Sequence, residues 1–381
     1  MGLTLALSSA NPGCATTPAT DFTDNGDGTA THKTTGLTWK RCAEGQSWSG
    51  LSCTGSAQAY TWAQAAALTA SFAGKNDWRT PTIAELVSII ERDNFNPTIN
   101  NTIFPITPAS NFWSDSTYAA NAGFAWNVYF NCGFVSPNDK AGSARVRLVR
   151  GGTSPAPSGY TPLSDFTDNG DGTVAHKKTG LIWKRCAEGQ NWTGSACSGT
   201  ASAYDWVQAI ALGQTYAASG GWRLPNQNEL FTIVEWNKLN PAINTTVFPN
   251  TPLSGFWSSS VCPGISGTAW PVNFTDGGAT PNGKSYSYPV RLVRGKTTPE
   301  VSSASADCLF NWAEKAYPQY FAPASTPSQT SGVYYYRYYS GTQTHLGIAN
   351  DTQRTVYIGP SGGGQQDLGD LAAWLETSGC K

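Results

Sequence analysis

Apolar and polar residues alternate along this chain in short runs, with turn-forming residues at close intervals between them. Asn25-Gly26-Asp27-Gly28 is a turn signal standing between Phe22-Thr23 and the alternating run 29–32. A second turn at Thr35-Gly36 leads into Leu37-Thr38-Trp39-Lys40, so the spacing predicts a β-meander. The period then changes. Thr61-Trp62-Ala63-Gln64 opens an Ala-rich stretch, and Thr82-Ile83-Ala84-Glu85 precedes Leu86-Val87-Ser88-Ile89-Ile90. Each pairs a Thr with a Gln or Glu in the spacing of a capping box, which predicts two helices. Beyond Pro97 and Pro105 strands return: Phe112-Trp113-Ser114, then residues 125–130 with period two, then Val146-Arg147-Leu148-Val149-Arg150. Strands, helices and more strands make an α+β domain, with its terminal strands expected near each other.

The same pattern then recurs. The nine residues from Asp21 to Thr29 return unchanged from Asp165 to Thr173, an offset of 144 (165 minus 21). The offset holds at Cys42/Cys186, Trp78/Trp222, Phe104/Phe248, Trp113/Trp257, Trp126/Trp270 and Arg150/Arg294. Asp205 and Gln208 stand where the first copy has Thr61 and Gln64, and Asn226 and Glu229 where it has Thr82 and Glu85. A period this long is a domain duplication rather than a solenoid, whose repeats run about 20–50 residues. Pro/Gly/Ser-rich linkers follow each copy. The domains expected are an N-terminal tail at 1–20, repeats at 21–151 and 165–295, and a small α+β domain at 306–381. In that last domain, residues 309–317 read as a helix, 333–339 and 355–358 as strands, and 368–376 as a closing helix.

Composition narrows the class. Charged residues are 13%, about half the usual share of roughly 25%, and Gly is high at 40. The formal net charge of −1 leaves no basic excess to neutralise phosphates, so nucleic acid is not an expected partner. No apolar run approaches the ~20 residues of a membrane helix. The opening Met1-Gly2-Leu3-Thr4-Leu5-Ala6-Leu7 reads either as the tail of a signal peptide or as a truncated start. Cys42/Cys53 and Cys186/Cys197 are each eleven apart, and Cys308 and Cys380 bracket the last domain. This placement predicts three local disulfides and an oxidising compartment, with Cys14, Cys132 and Cys262 left unassigned.

Little points to catalysis. Only three histidines exist: His32 and His176 are repeat equivalents beside a turn, and His345 stands alone. Glu85 and Glu229 are expected to cap helices rather than to serve as catalytic carboxylates. The acidic turn lacks the oxygen-ligand spacing of a calcium loop, and no close Cys/His pairs complete a zinc site. No enzyme activity, cofactor or metal is therefore expected.

The run from the Asn-Gly-Asp-Gly-Thr turn and Thr-Gly-Leu-x-Trp, through Trp-Arg-x-Pro, Asn-Pro-x-Ile-Asn, Phe-Pro and Phe-Trp-Ser, to Ala-Trp-x-Val-x-Phe and Val-Arg-Leu-Val-Arg-Gly resembles the Lcl C-terminal domain family. That family is named for the end domain of a bacterial collagen-like adhesin. The resemblance covers both copies. It implies a C-type-lectin-like fold for each, a bacterial extracellular or cell-surface location, and glycan or glycosaminoglycan ligands. The tail of the chain is similar to a small disulfide-closed module of secreted bacterial proteins.

The two copies differ most late in the domain. From Asp21 to Gln46, 22 of 26 positions are identical to the second copy, but from Asp115 to Arg145 only 11 of 31 are. One frame carrying interchangeable residues is the pattern of a binding face, although drift in exposed loops produces the same divergence. The ligand-binding residues expected are Tyr118, Trp126, Asn127, Tyr129, Phe134 and Lys140 in the first copy, and Trp270, Asn273, Asp276 and Lys284 in the second. The expected role is an adhesin-like protein that binds a glycan or surface protein, with self-association a further expectation. The alternative is a structural subunit of an extracellular fibre or surface assembly, joined through unpaired Cys132 or Cys262.

Overall fold

A computed structural model describes residues 17, 19–92, 94–151, 161–217, 221–262, 264–295, 303–317, 321, 329–331, 334–339, 344–349, 355–360, 366–370 and 380. Cys14 and most of the N-terminal tail lie outside them. Each repeat is α+β. In the first, an antiparallel sheet runs in the order Phe22–Asp24, Thr29–His32, Leu37–Lys40 and Val149–Gly151. The last of these strands pairs Val149 with Trp39, which brings the two ends of the domain together. The second repeat repeats this sheet with Phe166–Asp168, Thr173–His176, Ile182–Lys184 and Val293–Arg294.

The meander turn needs its glycines. Gly28 has φ +88°, and a Cβ there would sit 2.7 Å from the Trp48 ring. The turn's carboxylates are already engaged. Asp24 accepts from the Gly26 N–H (2.9 Å) and pairs with Arg41 (2.6 Å), while Asp27 accepts from the Thr29 N–H (3.0 Å) and hydroxyl (2.6 Å).

The helices begin where the capping boxes place them. In α1 (Trp62–Ala66) Thr61 and Gln64 cap reciprocally, and in α2 (Ile83–Val87) Thr82 and Glu85 do. In α3 (Trp206–Ala217) Asp205 and Gln208 exchange the same bonds at 2.8 and 3.0 Å. In α4 (Gln227–Phe231) Asn226 and Glu229 cap. Glu85 also grips Arg79 through two bonds of 2.7 and 2.6 Å, so this carboxylate is fully used in structure.

The late part of each repeat is a second sheet. It holds Asn111–Thr117, Phe124–Tyr129 and Phe134–Asp139 in the first copy, and Gly255–Val261, Thr268–Asn273 and Asn282–Gly283 in the second. Residues 146–148 precede the closing strand rather than extending it, because Arg147 turns into the core. Its guanidinium donates to the Lys40 carbonyl (2.9 Å), the Arg41 carbonyl and Thr107 Oγ1 (2.7 Å), and lies 4.8 Å from the Phe104 ring. Burial lowers its pKa to about 9, which still leaves it charged at neutral pH. Arg291 does the same in the second repeat.

The C-terminal domain has α5 (Ser303–Ala316) and a five-stranded antiparallel sheet, Gln329–Ser331, Tyr334–Tyr339, Thr344–Ala349, Thr355–Pro360 and Gln366–Asp370. The closing helix expected at 368–376 is not formed at its start: Gln366–Asp370 is a strand paired with Thr355–Pro360, and residues 371–376 lie outside the described residues. Strand pairing overrides helical periodicity there, because an edge partner is available. Arg337 ties sheet to helix through Asp307 (3.0 Å), Asn311 (2.7 Å) and Glu314 (2.9 Å).

Disulfides join Cys42–Cys53, Cys186–Cys197 and Cys308–Cys380, as the spacing predicts. Among the described residues no helix is long and apolar enough to cross a membrane.

Candidate ligand groove beside the repeat interface

The two repeats share one apolar core, in which residues of both copies pack together. The contacts obey a local pseudo-two-fold rule. At its centre Val135 and Ala279, equivalent by the 144-residue offset, exchange both backbone hydrogen bonds (3.1 and 3.0 Å). Either side of this bridge, equivalent positions meet in different chemistry. The Trp126 ring meets Trp236 edge-on at 5.0 Å, whereas the equivalent pair is Trp270 with the Arg92 guanidinium 4.4 Å over its ring. Phe134 packs edge-on against Trp270 (5.6 Å), and the residue equivalent to Phe134 in the second repeat is Gly278, which has no ring to offer. Tyr118 donates to Asp276 at 3.2 Å, and the equivalent positions are Cys262 and Cys132.

Arg92 is fully buried, donates to the Gly133 carbonyl (2.9 Å), and has its pKa lowered to about 9 by desolvation. Both thiols are buried, and burial pushes each pKa up. Chains therefore cannot be joined through Cys132 or Cys262 while the repeats are folded.

This interface absorbs much of the divergent stretch. Trp126, Asn127 and Trp270 are completely buried and display nothing to solvent. Asn127 spends its amide on the Ser136 carbonyl (2.8 Å). Tyr118 and Phe134 are half-buried in cross-repeat contacts, and Tyr129 is half-buried beside Phe134. Lys140 and Lys284 occupy equivalent places over Trp62 (3.9 Å) and Trp206 (4.1 Å). Of the ten residues expected to bind ligand, Trp126, Asn127 and Trp270 are corrected to core positions. An alternating pattern marks a sheet face, and here the face is buried against the other repeat.

Asn273 and Asp276 remain together. With Val135, Pro137, Thr275, Thr280, Asn282 and Tyr288 they line a groove of about 360 Å³. Asn273 Oδ1 accepts from the Thr275 N–H (2.9 Å), and Asp276 accepts from Gly278 N–H (3.0 Å) and the Tyr118 hydroxyl. Tyr288 is held by an edge contact with Trp257 (4.9 Å) and by a bond from Asn282 Nδ2 to its hydroxyl (2.8 Å). Beside it Tyr286 is 60% exposed, its ring nearly parallel to that of Tyr288 (10°, centroids 6.4 Å apart). The sequence reading missed Asn282, Tyr286 and Tyr288. Their signal was the Tyr-Ser-Tyr alternation at positions that are Gly142 and Ala144 in the first copy.

A second cleft, of about 510 Å³, lies between the repeats and is lined by Asp21, His32, Asp165, His176, Val87 and Phe231 among others. Each histidine stacks on a phenylalanine (Phe22 or Phe166, 4.8 Å) and bonds a threonine hydroxyl through Nδ1 (3.0 Å). Desolvation lowers both pKa values, that of His176 to about 4. No group of three or more potential metal-ligating side chains gathers among the described residues.

No curated protein and no solved structure is significantly similar to the chain. The family model described as "Lcl C-terminal domain" matches residues 28–150 and again 172–294, well over half of the sequence. With its tandem copies, their shared landmarks and their matching disulfides, the chain belongs to the Lcl C-terminal domain family.

Proposed function

We propose that the chain is an extracellular, adhesin-like protein of bacterial type that binds a glycan through the late strand-and-loop region and performs no catalysis. The observation that carries the reading is the groove in the second repeat, where amide, hydroxyl and carboxylate groups converge beside an aromatic wall. Concave sites with a few convergent polar groups are the usual form of a small-ligand site. Three disulfides are consistent with an oxidising, extracellular setting. Membership of the family supports surface association and a C-type-lectin-like fold for each repeat.

The test is binding of the intact chain to a broad glycan array, beside Asn273→Ala and Asn282→Ala variants with unchanged circular dichroism. Binding that both variants lose supports the reading. A folded protein that binds no glycan sinks it and turns attention to assembly, read by self-association in sedimentation.

A further inference from the structure

The two repeats are alike in fold but unlike at the groove. In the second repeat Tyr288 lines the groove, and Tyr286, two residues before it, stacks on Tyr288 just outside the lining. Tyr288 cannot swing away, because Trp257 supports its ring and Asn282 holds its hydroxyl. Tyr286, 60% exposed, stacks beside it with its ring nearly parallel (10°, centroids 6.4 Å apart). An exposed aromatic ring costs little where it is functionally neutral. A pair of near-parallel rings, one locked and one open, is a preformed shelf for a flat partner with C–H groups on its face.

The polar groups around the shelf set the partner's charge. Asn273, Thr275, Thr280 and Asn282 supply amides and hydroxyls, and Asp276 is the one charged side chain among the described residues that line it. Among the described residues no Lys, Arg or His lines it. The repeat-equivalent cations Lys140 and Lys284 lie over Trp62 and Trp206 instead. A sulfated or carboxylated chain would bring its negative charge to a carboxylate with no cation to receive it, and recognition of such groups normally uses Arg or Lys forks.

The first repeat lacks the shelf. Gly142 and Ala144 stand where the second has Tyr286 and Tyr288, and Ala144 is buried. Tyr129 and Asn131 stand where the second has Asn273 and Thr275. The pseudo-two-fold arrangement therefore does not duplicate the groove.

We infer that the second-repeat groove is a single neutral-glycan site per chain, in which a sugar ring stacks on Tyr286 and its hydroxyls bond the amides and hydroxyls beside Asp276. This deepens the glycan-binding reading and rests on it. The binding is insensitive to salt, because no ion pair forms.

The experiment is isothermal titration of the full chain with neutral linear oligosaccharides of glucose, mannose, galactose and xylose, and with a heparin oligosaccharide, each at low and high salt. The expected result is one neutral ligand per chain, with affinity unchanged by salt. Tyr286→Ala should weaken it by roughly tenfold or more, the loss seen when a stacking platform is removed, with an unchanged circular dichroism spectrum. Heparin binding that falls with salt and survives Tyr286→Ala overturns this inference while leaving glycan binding in place. Two neutral ligands per chain overturn it likewise. Absence of binding to every oligosaccharide overturns both readings together.

Discussion

Removing one tryptophan in the second repeat should loosen the first. Trp236 is 1% exposed and lies edge-on to Trp126 across the interface, with Phe231 beside it in its own repeat. Truncating a buried Trp to Ala costs about 3–5 kcal/mol, through lost burial and the cavity left behind. The cross-repeat ring pair accounts for about 0.5–1.5 kcal/mol of that. If the repeats unfold as one unit through their shared core, the most protected amides of both should feel the whole loss. At about 1.4 kcal/mol per tenfold, exchange would speed up roughly a hundredfold to a few thousandfold. If the repeats were independent, the first would feel only the ring pair, roughly tenfold at most. Hydrogen-exchange mass spectrometry of Trp236→Ala, read on peptides covering Phe124–Tyr129, separates the cases. First-repeat exchange that rises by tenfold or less would refute the single cooperative unit.

Three other outcomes follow from the geometry. His176 is 3% exposed and its folded pKa is about 4, below the unfolded value near 6.5, so the unfolded state binds more protons between those limits. Stability is fully present above pH 6.5 and falls by on the order of 3 kcal/mol as pH drops to 4, with His32 shifting in the same direction. Urea midpoints at pH 7.5, 5.5 and 4.5 check this, and a His176→Gln variant as acid-sensitive as the parent would count against it. Cys132 and Cys262 should resist iodoacetamide at pH 7.5 in the native protein and react fully after denaturation, which peptide mapping reads directly. Thr82→Ala removes the α2 cap and should cost about 1 kcal/mol in the urea midpoint, with the Arg79–Glu85 pair left in place.

Much of the fold was legible from one sequence because its signals are local. A capping box needs only Thr82 and Glu85 on adjacent turns of chain, and the Gly28 turn needs only a residue free to adopt positive φ. The disulfides were legible from spacing, and the family from landmarks in fixed order. The duplication was certain from its constant offset. What an offset cannot say is that the two copies touch.

Tertiary structure decided that, and with it the meaning of the divergent stretch. Once the Val135–Ala279 bridge sets the copies face to face, equivalent positions meet different partners, so Trp126 meets the Trp236 ring while Trp270 meets the Arg92 guanidinium. Divergence there serves complementarity between halves of one core. Period-two alternation along residues 125–130 marked the sheet correctly, yet it holds equally for a face turned to ligand and a face buried against a neighbour. The groove lay just beyond, where Tyr288 replaces Ala144. Sequence determined the elements, the duplication and the cross-links, because these depend on neighbours along the chain. Only the packing of one repeat on the other decided that Trp126, Trp236 and Trp270 sit in one core shared by both copies.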